Sequence, residues 1–128
     1  NRRGEPQGTF SHNTALSLHA LSDVMPARLD MTVPPGFQRM AAIPRVLRLH
    51  GGRLADDDVE MTDGVRVTTP LRTLVDVVVE DRLAADLQVQ AFREALQRGL
   101  VMARQLAQVK TSRRARQRLD RVIKQVPA

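Results

Sequence analysis

Asp63-Gly-Val-Arg-Val-Thr-Thr-Pro-Leu-Arg-Thr-Leu-Val-Asp76 is the stretch in which strand chemistry gives way to helix chemistry, and its reading decides the fold. Met61, Val65 and Val67 alternate with polar neighbours across Asp63-Gly64, a pair suited to a tight hairpin turn with positive φ. Thr69 then offers a hydroxyl to cap the next turn, and Pro70 stands at the first helical position, where a missing N–H is no loss. Leu71, Leu74, Val75 and Val78 follow at helical spacing. Arg72 and Asp76 stand four apart, so they meet on one helix face next to the strand end. Everything before this hinge reads as short strands and one helix; everything after it reads as helix.

Working outward toward the N-terminus, Leu29, Met31 and Val33 alternate into one strand and Val46, Leu47 and Leu49 into another, with the hairpin strands at 58–62 and 65–68. His50-Gly51-Gly52 fits neither dinucleotide nor P-loop spacing, and reads as a turn. Asp56, Asp57 and Asp58 read as a solvated turn rather than a cation loop, because the alternating calcium-loop pattern is absent. A short amphipathic helix starts after Ser11 and carries Ala15, Leu16, Leu18 and Leu21, with Asp23 and Pro26 as its stop. His12 and His19 on it are seven apart, too far for a two-histidine metal pair, and His19 is assigned a packing or hydrogen-bonding role. Residues 37–43 give a weak helical turn, and residues 1–9 read as a linker ahead of a domain spanning 10–128.

Toward the C-terminus a helix over about 83–97 closes at Gly99, a short one covers 103–110, and the last runs from Ser112 to about Gln125. Ala115, Leu119, Val122, Ile123 and Val126 form the last helix's apolar stripe. At a step of about 100° per residue, Arg113, Arg114, Arg121 and Lys124 lie opposite Leu119, with Arg116 and Arg118 on the flanks. Residues 98–124 hold nine basic side chains against Asp120 alone, within a net charge of +6. Such density on one helix points to a polyanion, and these six residues are the candidate nucleic-acid contacts.

Composition closes several routes. The 128 residues suit one domain, and the apolar core must be aliphatic because only three Phe and no Trp or Tyr are present. The chain has no Cys, which excludes thiolate metal sites and cysteine catalysis and fits a cytoplasmic setting. No apolar run approaches the ~18 residues of a membrane span. Two lysines, neither in an acid-x-Lys pairing, and no Ser/His/Asp elbow leave no catalytic set, and no cofactor or metal is expected.

Three segments carry a family resemblance. Ser11-His-Asn-Thr-Ala15-Leu-Ser-Leu-His19-Ala-Leu21 resembles the "shesAlalHgL" opening of the effector domain of AbiEi-type antitoxins, from type IV toxin–antitoxin systems. Gly64-Val-Arg-Val-Thr-Thr-Pro70-Leu-Arg72-Thr73-Leu-Val-Asp76 is similar to that domain's "G-x-x-v-T-x-P-x-R-T-l-x-D" signature, and Glu94-Ala-Leu-Gln-Arg-Gly99-Leu to its "e-A-l-r-x-G-l" block. The resemblance covers about Phe10 to Val126 and marks Thr69, Pro70, Arg72 and Asp76 as its structural motif. It implies an antitoxin that counters a nucleotidyltransferase toxin, and a transcriptional regulator that represses its own operon through an upstream winged helix-turn-helix. That DNA-reading domain is not in this sequence, which opens at Asn1-Arg2-Arg3 without Met and reads as part of a longer protein. The alternatives are an accessory targeting module of a Vsr-like nuclease protein, or a non-catalytic protein-interaction domain. The expected architecture is α+β, a small, mainly antiparallel sheet followed by a C-terminal helical set.

Overall fold

The computed structural model describes residues 8–23, 27–35 and 45–127. The elements run β1 (Thr9–Phe10), α1 (His12–Leu18), β2 (Leu29–Val33), β3 (Leu47–Gly51), a 3-10 turn (Asp56–Asp58), β4 (Val59–Thr62), β5 (Val65–Thr68), α2 (Pro70–Glu80), α3 (Ala85–Gln97), α4 (Ala103–Gln108) and α5 (Arg113–Gln125). The helical turn expected at 37–43 and Pro26 lie outside the described residues, as do residues 1–7 of the expected linker, but α1 ends at Leu18, ahead of the stop expected at Asp23.

The hairpin forms at the hinge. Asp63 and Gly64 hold φ of 51° and 84°, the two positive values that a twisted two-residue turn requires. Thr62 opposes Val65 and Val59 opposes Thr68 across the β4–β5 ladder. The sheet order is β3-β2-β1-β5-β4. The class is α+β, but the sheet is mixed rather than mainly antiparallel. β1–β2 and β4–β5 are antiparallel, whereas β1–β5 and β2–β3 are parallel. Among the described residues only β4 and β5 are joined by a tight turn; thirteen residues, 34–46, separate β2 from β3 in sequence, about the dozen that a parallel crossover needs. The central strand β1 is two residues long, too short to show any alternation, and it takes Thr9 out of the expected linker.

Helices cover the sheet. α1 packs on α2, and α5 packs on both α2 and α3. Among the described residues Leu16, Leu21, Leu74, Phe92, Leu106 and Leu119 are the largest fully buried apolar side chains, so Phe92 is the one fully buried aromatic ring in an otherwise aliphatic core. The C-terminal ends of α1 and α3 are closed by backbone hydrogen bonds. Gly99, at φ 72°, donates to Leu96 O while Leu100 donates to Ala95 O, a Schellman closure of α3. α1 ends the same way with Ala20 at φ 56°, a conformation that costs a side chain about 1–2 kcal/mol. Ser112 caps α5 by accepting from Ala115 N at 3.1 Å.

Candidate functional site

The signature at the start of α2 resolves into a set of bonds between sheet and helix. Thr69 Oγ1 accepts from Arg72 N, with Pro70 at the first helical position. The fully buried Thr73 hydroxyl lies 2.6 Å from Thr68 Oγ1 and donates to Thr69 O at 2.8 Å, tying the first turn back to β5. Arg72 Nε donates to Asp76 Oδ1 at 2.9 Å and its Nη1 to Asp58 Oδ2 at 3.2 Å. Asp58 also accepts from Ala55 N, so this third aspartate is held in the network while Asp56 and Asp57 stay exposed. Burial pushes the Asp76 carboxyl up to about 6, against the pull of Arg72. Its Oδ2 is buried without a hydrogen-bond partner among the described residues.

Beside this network stands a cluster that sequence spacing did not reveal. His50, read from sequence as a turn residue, lies in β3. Its ring stacks on His12 with centroids 3.8 Å apart and planes 13° from parallel. His50 Nε2 meets Asp30 Oδ1 at 3.0 Å, and its Nδ1 faces Glu80 Oε2 at 3.7 Å. The buried Asp30 carboxylate also attracts Arg48, with Nε 3.6 Å away. His12 Nδ1 shares a 2.8 Å hydrogen bond with Ser11 Oγ, which accepts from Thr32 Oγ1. Burial, followed by the neighbouring His50, lowers His12 to about 4, so its ring is neutral at pH 7. The backbone of His12 sits at φ 53°, a strained value for a residue with a Cβ. A cavity of about 300 Å³ opens on this group, lined among others by His12, His50, Arg72, Asp76 and Glu80. The participants come from α1, β2, β3 and α2, so no local spacing could have joined them. His19, by contrast, hydrogen-bonds Thr68 O through Nε2 at 2.8 Å.

The basic residues of α5 divide into two groups. Arg113, Arg114, Arg121 and Lys124 are exposed, and among the described residues no acid or carbonyl takes their charged ends. Arg116 Nη2 instead donates to Leu106 O and Val109 O at 3.0 and 2.9 Å, and its Nη1 to Asp120 at 3.2 Å. Arg118 Nη1 donates to Val79 O at 2.7 Å. Favourable placement of a guanidinium at a helix C-terminus accounts for both, since α2 and α4 end in carbonyls that lack intrahelical donors. The structure thus keeps four of the six candidates on one open face and engages the two flanking ones internally.

Among the described residues no helix is long and apolar enough to cross a membrane. Residues 9–123 match the family model of the AbiEi antitoxin C-terminal domain, nearly the whole chain. No curated protein matches the chain.

Proposed function

From the premise that this chain belongs to the AbiEi antitoxin C-terminal domain family, and so has an antitoxin role toward a toxin partner, we propose a more specific activity. The toxin it counters is a nucleotidyltransferase, and the parent protein regulates transcription of its own operon, with this domain adding phosphate-backbone contacts through α5. The domain binds and positions; it carries out no reaction. The observation that supports the nucleic-acid part is the open face of Arg113, Arg114, Arg121 and Lys124. Four cations on one face of one rigid helix, with no internal partner among the described residues, form an electrostatic footprint for a polyanion. The contacts sit on a smooth helix face with no aromatic side chain, so they hold a backbone without reading bases. Binding to duplex DNA is therefore expected to be sequence-tolerant and steeply salt-dependent.

Fluorescence anisotropy on a duplex across a range of salt tests this. Changing all four residues to Ala removes up to four phosphate contacts, each worth about 0.9 in the slope of log K against log salt. A slope unchanged by the quadruple substitution overturns the assignment. Co-expression with the toxin encoded beside the parent gene tests the antitoxin part. Growth is restored if that toxin is a nucleotidyltransferase countered by this domain, and failure to restore it refutes the pairing.

A further inference from the structure

Three of the side chains around the 300 Å³ cavity carry metal-ligand chemistry. His12, His50 and Glu80 each place one donor atom within 4.8 Å of the other two. The donor atoms can be named from the hydrogen bonds. Ser11 occupies Nδ1 of His12, leaving Nε2 open. Asp30 occupies Nε2 of His50, leaving Nδ1, which faces Glu80. The Asp30 contact is the arrangement in which a carboxylate holds a ligating imidazole in one tautomer and raises its basicity. Ser11, itself fixed by Thr32, contacts Nδ1 of His12, and its oxygen must accept the Nδ1 proton for Nε2 to be the ligating atom.

We propose that His12, His50 and Glu80 form a binding site for a first-row divalent transition-metal ion, zinc foremost. Two imidazole nitrogens and one carboxylate oxygen suit zinc, cobalt or nickel better than the all-oxygen preference of magnesium or calcium. Tetrahedral ligands at about 2.1 Å from an ion lie about 3.4 Å apart, so the His50–Glu80 pair at 3.7 Å is nearly in place, while donors as far as 4.8 Å apart must close in by up to about 1.4 Å. In-plane lone pairs on parallel rings cannot converge on one ion, so binding tilts the two imidazoles out of their stack. Three protein ligands leave a fourth position, beside a cavity that Arg72 and Asp76 also line. Because the ligands come from α1, β3 and α2, an ion there clamps helix to sheet.

The probe is cobalt(II) chloride followed by its d–d absorption, together with thermal unfolding of the full chain in zinc chloride or in chelator. Saturation at one ion per chain with a tetrahedral-type spectrum is expected, along with a higher melting temperature in zinc. Both signals vanish in His50→Ala and in Glu80→Gln, the second of which keeps the side-chain shape should the first fail to fold. Asp30→Asn weakens binding by about 10- to 100-fold while leaving the spectrum tetrahedral. His19→Asn, which alters the only other histidine in the chain, retains binding. Absence of saturable binding by the wild-type chain overturns the proposal, as does equal binding by His50→Ala and Glu80→Gln.

Discussion

Removing Arg72 tests how α2 is anchored to the sheet, and the structure sets both the size and the pH dependence of the effect. The guanidinium serves two carboxylates, Asp76 at 2.9 Å and Asp58 at 3.2 Å. Side-chain exposures of 27% for Arg72, 29% for Asp58 and 12% for Asp76 put these pairs between the surface and the interior. Breaking a buried pair costs about 3–5 kcal/mol, and an exposed one at most about 1. Arg72→Ala is therefore expected to cost about 2 kcal/mol near neutral pH. Asp76 makes that figure depend on pH. Its folded value of about 6 lies above the usual 3.8, so the folded chain holds the proton more tightly than the unfolded one. The group's contribution to stability is fully present below 3.8 and is lost as pH rises through 6. Arg72 limits this loss by favouring the ionised form, and without it the loss steepens. At about pH 5 the carboxyl is roughly 90% protonated and attracts Arg72 little, so the substitution should cost only about 1 kcal/mol. Urea unfolding of wild type and variant at about pH 7.5 and about pH 5 measures both differences. Adding Asp76→Asn to Arg72→Ala should recover most of the loss at the higher pH. Equal costs at the two pH values, or a larger one at the lower, would refute this account.

Other positions give sharper single tests. Ala20→Gly should stabilise the chain by about 0.5 kcal/mol, because relief of the left-handed strain at φ 56° exceeds the added freedom of the unfolded chain; a lower melting temperature sinks the idea. Arg116→Ala should cost about 2 kcal/mol by leaving the Leu106 and Val109 carbonyls without their charged donor. Arg114→Ala, on the open face, should stay within about 0.5 kcal/mol, and the ratio of the two reports which arginines are structural. Thr73→Val should cost about 1–2 kcal/mol through the unpaired Thr68 hydroxyl, whereas Thr73→Ser should cost less, as chemical denaturation of both will show.

Local rules made the hinge readable. A turn that needs two positive φ values, a cap hydroxyl, a proline at the first helical position and an Arg–Asp pair four apart are all decided within a few residues. They place the β4–β5 hairpin and α2 correctly. The same holds for Gly99 behind α3 and Ser112 ahead of α5. Sheet order was not legible, because it is set by which strands find each other over long separations. β1 pairs Phe10 with Val67 and Thr9 with Thr32, contacts that no periodicity in Thr9–Phe10 can announce.

The histidine cluster was hidden for the same reason, and the reason explains its character. His12 opens α1 and His19 caps its end, yet the fold separates their tasks: His19 bonds the end of β5, while His12 stacks on His50 from β3. The strand is what makes the difference. In β3, His50 opposes Thr32 of β2, one ladder position from the Met31–Leu49 pair. Side chains alternate along a strand, so this register sends His50 to the face that α1 and α2 cover. A glycine-rich context suggested a turn at His50-Gly51-Gly52, but Gly51 continues the ladder opposite Val33 and carries His50 into the sheet. Two imidazoles, the carboxylates of Asp30, Asp76 and Glu80 and the guanidiniums of Arg48 and Arg72 then share one half-buried region, and His12, His50, Arg72, Asp76 and Glu80 line a cavity in it. A chain needing only a stable core would gain more by filling that space with aliphatic side chains, since buried charge networks add little net stability. Retention of ionisable groups around an open cavity, on the face stapled by the family signature, is a property of a site rather than of a core.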